Sequence, residues 1–213
     1  SDDHAAHAIS AYGSRVNKTP NIDRLASEGA LLTNVFATNS ICTPSRGAIL
    51  TGQYSHKNGV YTLADPIDPK KEHLAHLLRD SGYQTGIVGK WDLHSDPEGF
   101  DSWKVLPGQG AYYDPVFLTP DGKTKHTGYC TDLIGDFSID FLKNRDKKKP
   151  FFLMSHHKAP HRSWEPSPKY KDWLKDVDVP EPHNAQLIDA IRVHWRNTAL
   201  VGSFTNATGD MVV

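Results

Sequence analysis

Apolar and polar positions along the chain fall into blocks whose period switches between that of a helix and that of a strand. Over residues 19–29, Ile22, Leu25 and Ala26 share one helical face. Thr19 stands at a capping position, Pro20 suits the first helical turn and Gly29 ends the run, so a short capped helix is predicted. Residues 31–37 are apolar and β-branched enough for a strand. A helix is predicted over residues 45–50, and another over 71–80, where Leu74, Leu77 and Leu78 form a stripe and Gly82 terminates. Residues 85–89 form a short run of the buried-strand type, which delivers Lys90 and Trp91 to its carboxyl end. Residues 94–128 are rich in Gly, Pro and Asp and read as long surface loops, with a hairpin around Pro120, Asp121 and Gly122. Helical spacing returns over 131–144 through Leu133, Ile134, Phe137, Phe141 and Leu142. Lys147, Lys148 and Lys149 make a solvated turn, and residues 151–155 form a second buried strand that runs into His156, His157, Lys158 and His161.

Strands alternating with helices predict an α/β fold with a mixed or parallel sheet. Lys90 and the His156–His161 cluster both follow strand ends, where open α/β sheets bind their ligands. No internal repeat or low-complexity tract interrupts this order. The 213 residues can bury one sizeable core, and 38% hydrophobic residues with five tryptophans fit a globular protein. A net charge of −1 with evenly mixed signs gives no basis for a nucleic-acid partner, and no apolar run is long enough to span a membrane. The two cysteines, Cys42 and Cys130, do not make a disulfide framework. Cys130 reads as a buried thiol, as cysteine usually is.

The chemistry concentrates in residues 42–52, which begin Cys42, Thr43, Pro44, Ser45, Arg46 and close on Leu50, Thr51, Gly52. This run resembles the signature of the type I sulfatases, and the residues 19–26 and the pair Asp2–Asp3 match that family in the right order. The resemblance covers residues 2–182 and is nearest to bacterial sulfatases of sulfated polysaccharides, glycosaminoglycans included. It implies an alkaline-phosphatase-like mixed sheet flanked by helices, incomplete in this chain. Residues 1–182 would be the N-terminal part of a sulfatase catalytic domain, and 183–213 a divergent or truncated tail. It also implies a sulfuric ester hydrolase that removes sulfate from a sulfated carbohydrate, working outside the cytoplasm in the periplasm or extracellular space. No signal peptide is visible.

In such enzymes the cysteine is converted by a formylglycine-generating enzyme into an aldehyde, whose hydrate supplies the nucleophile. A sulfate monoester repels nucleophiles through its oxygens, so the reaction needs a positioned nucleophile and fixed positive charge. The resemblance assigns Cys42 as the formylglycine precursor, Arg46 as its brace and His161 as the group that protonates the leaving oxygen. Lys90 and Lys158 would bind the sulfate, and Asp2, Asp3 and Cys42 would hold a calcium ion, or magnesium in its place. Adjacent carboxylates are a natural half-shell for a hard cation. Zinc at the His156–His161 cluster is disfavoured, because no matching set of spaced Cys or His residues stands near it.

The sequence departs from the family at one place. Sulfatases typically show Gly-Lys-Trp-His-Leu, whereas this chain has Gly89, Lys90, Trp91, Asp92, Leu93 and His94. Asp92 can accept a proton but adds negative charge beside a sulfate, and His94 would substitute only through a re-routed loop. The family's second half, which brings further calcium ligands, has no counterpart here, since Asp210 is isolated in the tail. Two other readings therefore remain open: a catalytically incomplete fragment, and a phosphate mono- or diester hydrolase of the same superfamily.

Overall fold

The chain is described by a computed structural model over residues 1–180. Its organising element is strand β1 (Gln84–Lys90), buried from its second residue onward. It lies between two parallel partners, β2 (Ser102–Leu106) and β5 (Phe151–His156). A strand covered on both faces needs small or apolar side chains at every position, which is why the run shows no alternation. The hairpin of β3 (Val116–Thr119) and β4 (Gly122–Lys125) extends the sheet antiparallel, giving the order β4-β3-β2-β1-β5. The sheet is mixed, as the pattern predicted.

Neighbouring strand residues face opposite sides. Ile87 and Val105 join one core with Leu50, Val60, Trp91 and Phe100. Val88 and Leu106 join the other with Phe117, Cys130 and Ile134. Each fully buried aliphatic or aromatic side chain contributes about 1.5–3 kcal/mol. The first core draws on α2 (Cys42–Thr51) and the loop after α3 (Ser55–Asn58), with α4 (Leu74–Asp80) set against β1. The second is closed by α5 (Cys130–Asn144). Cys130 is a buried free thiol, pushed up to about 11 by burial.

Two local differences from the sequence pattern bear on the site. The helix predicted from residue 45 begins three residues earlier, so Cys42 heads α2. Residues 31–37 form no strand. Leu32, Val35 and Phe36 are 64%, 69% and 88% exposed, with no described strand beside them. β-branched residues favour a strand only where a pleated surface half-buries them, and here nothing described does so. The preceding helix α1 (Pro20–Glu28) likewise buries no residue. Within the expected loops of 94–128, the structure places β2 as well as the predicted hairpin.

Residues Ser1–Asp172 form one compact unit and Trp173–Val213 a second, of which only 173–180 are described. The boundary expected at residue 182, the tail 183–213 and Asp210 lie outside the described residues.

Candidate active site

The site is built where β1 and β5 end. Gly89 has φ +102°, and a Cβ there would come within 1.9 Å of the His156 carbonyl oxygen. Only glycine allows the two strands to approach so closely in that conformation. The next residue, Lys90, is 0% exposed. Its Nζ donates to Asp2 Oδ2 at 2.5 Å and to Gln109 Oε1 at 2.7 Å, and lies 3.5 Å from Asp92 Oδ2. A buried ammonium is tolerable only when oxygens meet it, and three do so here.

Asp2 is held in place by its own amide, which donates to the Ala159 carbonyl at 3.2 Å. Burial works against its carboxylate. The hydrogen bond and charge of Lys90, aided by Arg46 and His161, outweigh that and hold its pKa below the ordinary value. Arg46 comes from the second turn of α2. Its Nη2 lies 3.4 Å from Asp2 Oδ1, and its Nη1 donates to the Lys90 carbonyl at 2.7 Å. His156 shares that carbonyl at 3.2 Å, and burial, followed by the Arg46 charge, lowers its pKa to about 4. It is therefore neutral near pH 7.

Cys42 Sγ lies 4.0 Å from Asp2 Oδ1, so the head of α2 meets Asp2, forty positions away in sequence. Burial raises its pKa; Lys90 opposes that, and the carboxylates of Asp2, Asp92 and Asp3 add to it. Asp3 has φ +57° and a side chain 60% exposed, with Oδ2 3.7 Å from His161 Nε2. His161 Nδ1 faces the Arg162 carbonyl at 2.7 Å. Since a carbonyl can only accept, Nδ1 carries a proton, and Nε2 is the nitrogen on the side of Asp3. Atoms of Asp2, Cys42 and His161 all lie within 4.8 Å of one another. A cleft of ≈ 580 Å³ opens beside them, lined by Asp2, Asp3, Cys42, Arg46, Trp91 and His156 among others.

Lys158 is buried as well. It stands 4.8 Å over the Tyr112 ring, with Nζ 3.5 Å from the Arg162 carbonyl. Burial and then the charge of Lys90 lower its pKa. Asp92, not His94, takes the inward place after Lys90-Trp91. Asp92 is 6% exposed and accepts from Gln109 Nε2 at 3.3 Å, whereas His94 Nε2 pairs with the Leu63 carbonyl at 2.6 Å.

Two supports escaped the sequence reading. Gln109, between Gly108 and Gly110 in what read as a surface loop, bridges Lys90 and Asp92. Both glycines have positive φ, 51° and 65°, and that pair flanking a polar residue is the signal that was there to be used. The second support is a set of tyrosines. The hydroxyls of Tyr112, Tyr113 and Tyr129 donate to the carbonyls of His161, Pro166 and Glu165 and pin the loop that carries His161. Nothing in their local sequence pointed to it, because the contacts are long-range.

A mixed α/β sheet with charged groups at its carboxyl edge and a cysteine-headed helix facing them has the alkaline-phosphatase-like arrangement. The chain belongs to the sulfatase family: the profile described as Sulfatase matches residues 1–205. It is 46% identical over 186 residues to an N-acetylglucosamine-6-O-sulfatase of Bacteroides thetaiotaomicron, an alignment covering 86% of this chain and 33% of that protein. It is 31% identical over 195 residues to the human N-acetylgalactosamine-6-sulfatase, covering 71% and 36%. A structure solved in complex with its substrate, D-glucosamine-2-N,6-O-disulfate, superposes with a TM-score of 0.84 at 46% identity, covering 86% of this chain and 38% of that one. The chain thus spans about a third of the length of the relatives it matches. Among the described residues, no helix is long and apolar enough to cross a membrane.

Proposed function

We propose that the whole protein hydrolyses sulfate esters of a sulfated carbohydrate, with 6-O-sulfated glucosamine units as its substrate. The observation that carries the reading is the meeting of Cys42 Sγ with Asp2 at 4.0 Å, inside a ring formed by Lys90, Arg46 and His161. The relative that is 46% identical is named for that substrate class. Converted to formylglycine by a generating enzyme, Cys42 supplies a hydrated aldehyde whose hydroxyl is the nucleophile.

The donor set fits a hard divalent cation in part. Asp2 and Asp3 bring carboxylate oxygens to the same side of the cleft as Cys42. That is a fraction of the shell of six to eight oxygens that calcium takes. A bound calcium or magnesium ion would offset the charge of the sulfate oxygens and favour the ionised nucleophile.

The chain's own groups have separable tasks. Arg46, anchored on the Lys90 carbonyl, orients residue 42 and presents positive charge to it. Lys90 and Lys158 provide buried positive charge for the sulfate oxygens. His161, its Nδ1 proton committed to the Arg162 carbonyl, can carry a second proton on Nε2 and pass it to the leaving oxygen. The work would take place in the periplasm or outside the cell, where sulfated polysaccharides are met.

The test is the full-length protein expressed with and without a formylglycine-generating enzyme. Conversion removes about 18 Da from the Cys42 peptide as thiol becomes aldehyde. The converted protein should release sulfate from N-acetylglucosamine 6-sulfate in a calcium-dependent way and leave the matching phosphate ester largely untouched. Cys42→Ala should be inert. Activity surviving that substitution, or faster turnover of the phosphate ester, would overturn the reading.

A further inference from the structure

We propose that, while Cys42 keeps its thiol, Asp2, Cys42 and His161 form a binding site for a soft or borderline divalent cation of the zinc class. Conversion of Cys42 then switches the site's preference to a hard cation. The inference concerns the unconverted protein and rests on the geometry of these side chains.

One atom from each residue already lies within 4.8 Å of the other two. That separation needs roughly 1 Å of closure to reach zinc–ligand distances of about 2.0–2.3 Å. A sulfur, an imidazole nitrogen and a carboxylate oxygen form a mixed set that suits zinc and disfavours calcium, which takes oxygen. The imidazole is already set for the task. Its Nδ1 is tied to the Arg162 carbonyl at 2.7 Å, which leaves Nε2 as the nitrogen available to a metal. Metal-bound histidines are oriented by just such a backbone or carboxylate acceptor.

Asp2 can also be spared from part of its present pairing. Besides the Cys42 thiol at 4.0 Å, its Oδ1 has the 3.4 Å contact with Arg46, whose Nη1 keeps the Lys90 carbonyl at 2.7 Å when that contact is released. Its Oδ2 remains with Lys90. As the sulfur–metal bond forms, the thiol proton leaves to solvent. Asp3, with Oδ2 at 3.7 Å from His161 Nε2, borders the open side, where a fourth ligand position would lie. Oxidation of Cys42 to formylglycine removes the only soft donor and leaves oxygen and nitrogen.

The experiment uses the full-length protein made without the generating enzyme, stripped with a chelator and titrated with cobalt(II) as the spectroscopic stand-in for zinc. We expect one equivalent to give a near-ultraviolet sulfur-to-cobalt charge-transfer band with the visible bands of a tetrahedral ion, and zinc to displace it. Cys42→Ala should abolish the charge-transfer band. His161→Gln should weaken cobalt affinity by more than about tenfold, the scale set even by groups that merely support a metal ligand. The converted protein needs no substitution, so it serves where a variant fails to fold, and it should lack the band while retaining calcium binding. Absence of the band in the thiol form would overturn the inference. So would its survival in Cys42→Ala or in the converted protein, or an unchanged affinity in His161→Gln. Sulfate release by the converted protein is measured separately, so failure here leaves the hydrolase reading standing, and the reverse.

Discussion

Replacing Lys90 with methionine tests the electrostatic centre of the site with little change in volume. In the native protein the Lys90 ammonium is 0% exposed and holds Asp2, Asp92 and Gln109 together. Methionine fills the space but leaves Asp2, itself 7% exposed, with the 3.4 Å contact to Arg46 as its remaining contact with a cationic side chain of Lys or Arg, beside the Cys42 thiol. Asp92 keeps only Gln109. Removing one partner of a buried ion pair costs about 3–5 kcal/mol, because the other charge stays buried without its counterion. The lower end applies, since Arg46 remains, so about 3 kcal/mol is expected at pH 7.

The sign with pH follows from Asp2. Its folded pKa is depressed, so its contribution is present above the ordinary carboxylate value of 3.8 and is lost as pH falls through the folded value. In the Lys90→Met protein the effect of burial on Asp2 meets less opposition. Asp2 then takes a proton at higher pH, and the deficit should shrink as pH is lowered toward about 4. Urea unfolding of both proteins at pH 7 and at pH 4.5 measures this, and the Asp2→Asn, Lys90→Met double-mutant cycle should give a coupling above about 1 kcal/mol. Equal stability at pH 7, or a deficit that does not change with pH, would refute the argument that Lys90 is held by charge rather than by packing.

Gly89→Ala would put a methyl group 1.9 Å from the His156 carbonyl oxygen at φ +102°, so a loss of more than about 3 kcal/mol or insoluble protein is expected from urea unfolding or soluble yield. Tyr112→Phe deletes the hydroxyl that holds the His161 carbonyl while keeping the ring under Lys158. Steady-state kinetics on the converted protein should show kcat reduced severalfold, with a stability loss of about 1 kcal/mol and unchanged calcium affinity. His73 is 4% exposed with a pKa lowered to about 4 by burial, then by His76 and Arg79. The unfolded chain binds its proton first, so stability should fall by on the order of 2–3 kcal/mol as pH drops from 6.5 to 4. His73→Leu should flatten that slope in a urea series across this range, and an unchanged slope would show that other groups cause it.

What the sequence made legible is what short-range physics dictates. The apolar run before Lys90 predicted a doubly covered strand because burial on both faces erases alternation, and β1 is such a strand. The run 151–155 predicted a second buried strand; the strand is there, parallel to β1, but it is half-buried to exposed rather than buried. Residues 31–37 failed for a related reason. Their composition suits a half-buried pleat, but a strand is made by its partner, and no composition supplies one. The same limit explains Gln109 and the three tyrosines, whose partners lie 17 to 53 residues away in sequence.

The departure at Asp92 was visible as a residue but not as a geometry. Sequence alone could weigh a carboxylate against a nearby histidine, but it could not show where either points. Asp92 adopts φ +55° and turns toward Lys90 and Gln109, while His94, at φ +54°, turns to the Leu63 carbonyl. A carboxylate beside a sulfate site is unfavourable only if its charge is free to act on the sulfate. Here Lys90 lies between two carboxylates, Asp2 and Asp92, with the Gln109 carboxamide spanning Lys90 and Asp92. The aspartate therefore works first on the lysine, fixing where its positive charge sits. The place where the family pattern has a histidine holds a carboxylate that contacts Lys90, and His161 is the ring in the cluster, with a nitrogen within 4.8 Å of ligand atoms of Asp2 and Cys42.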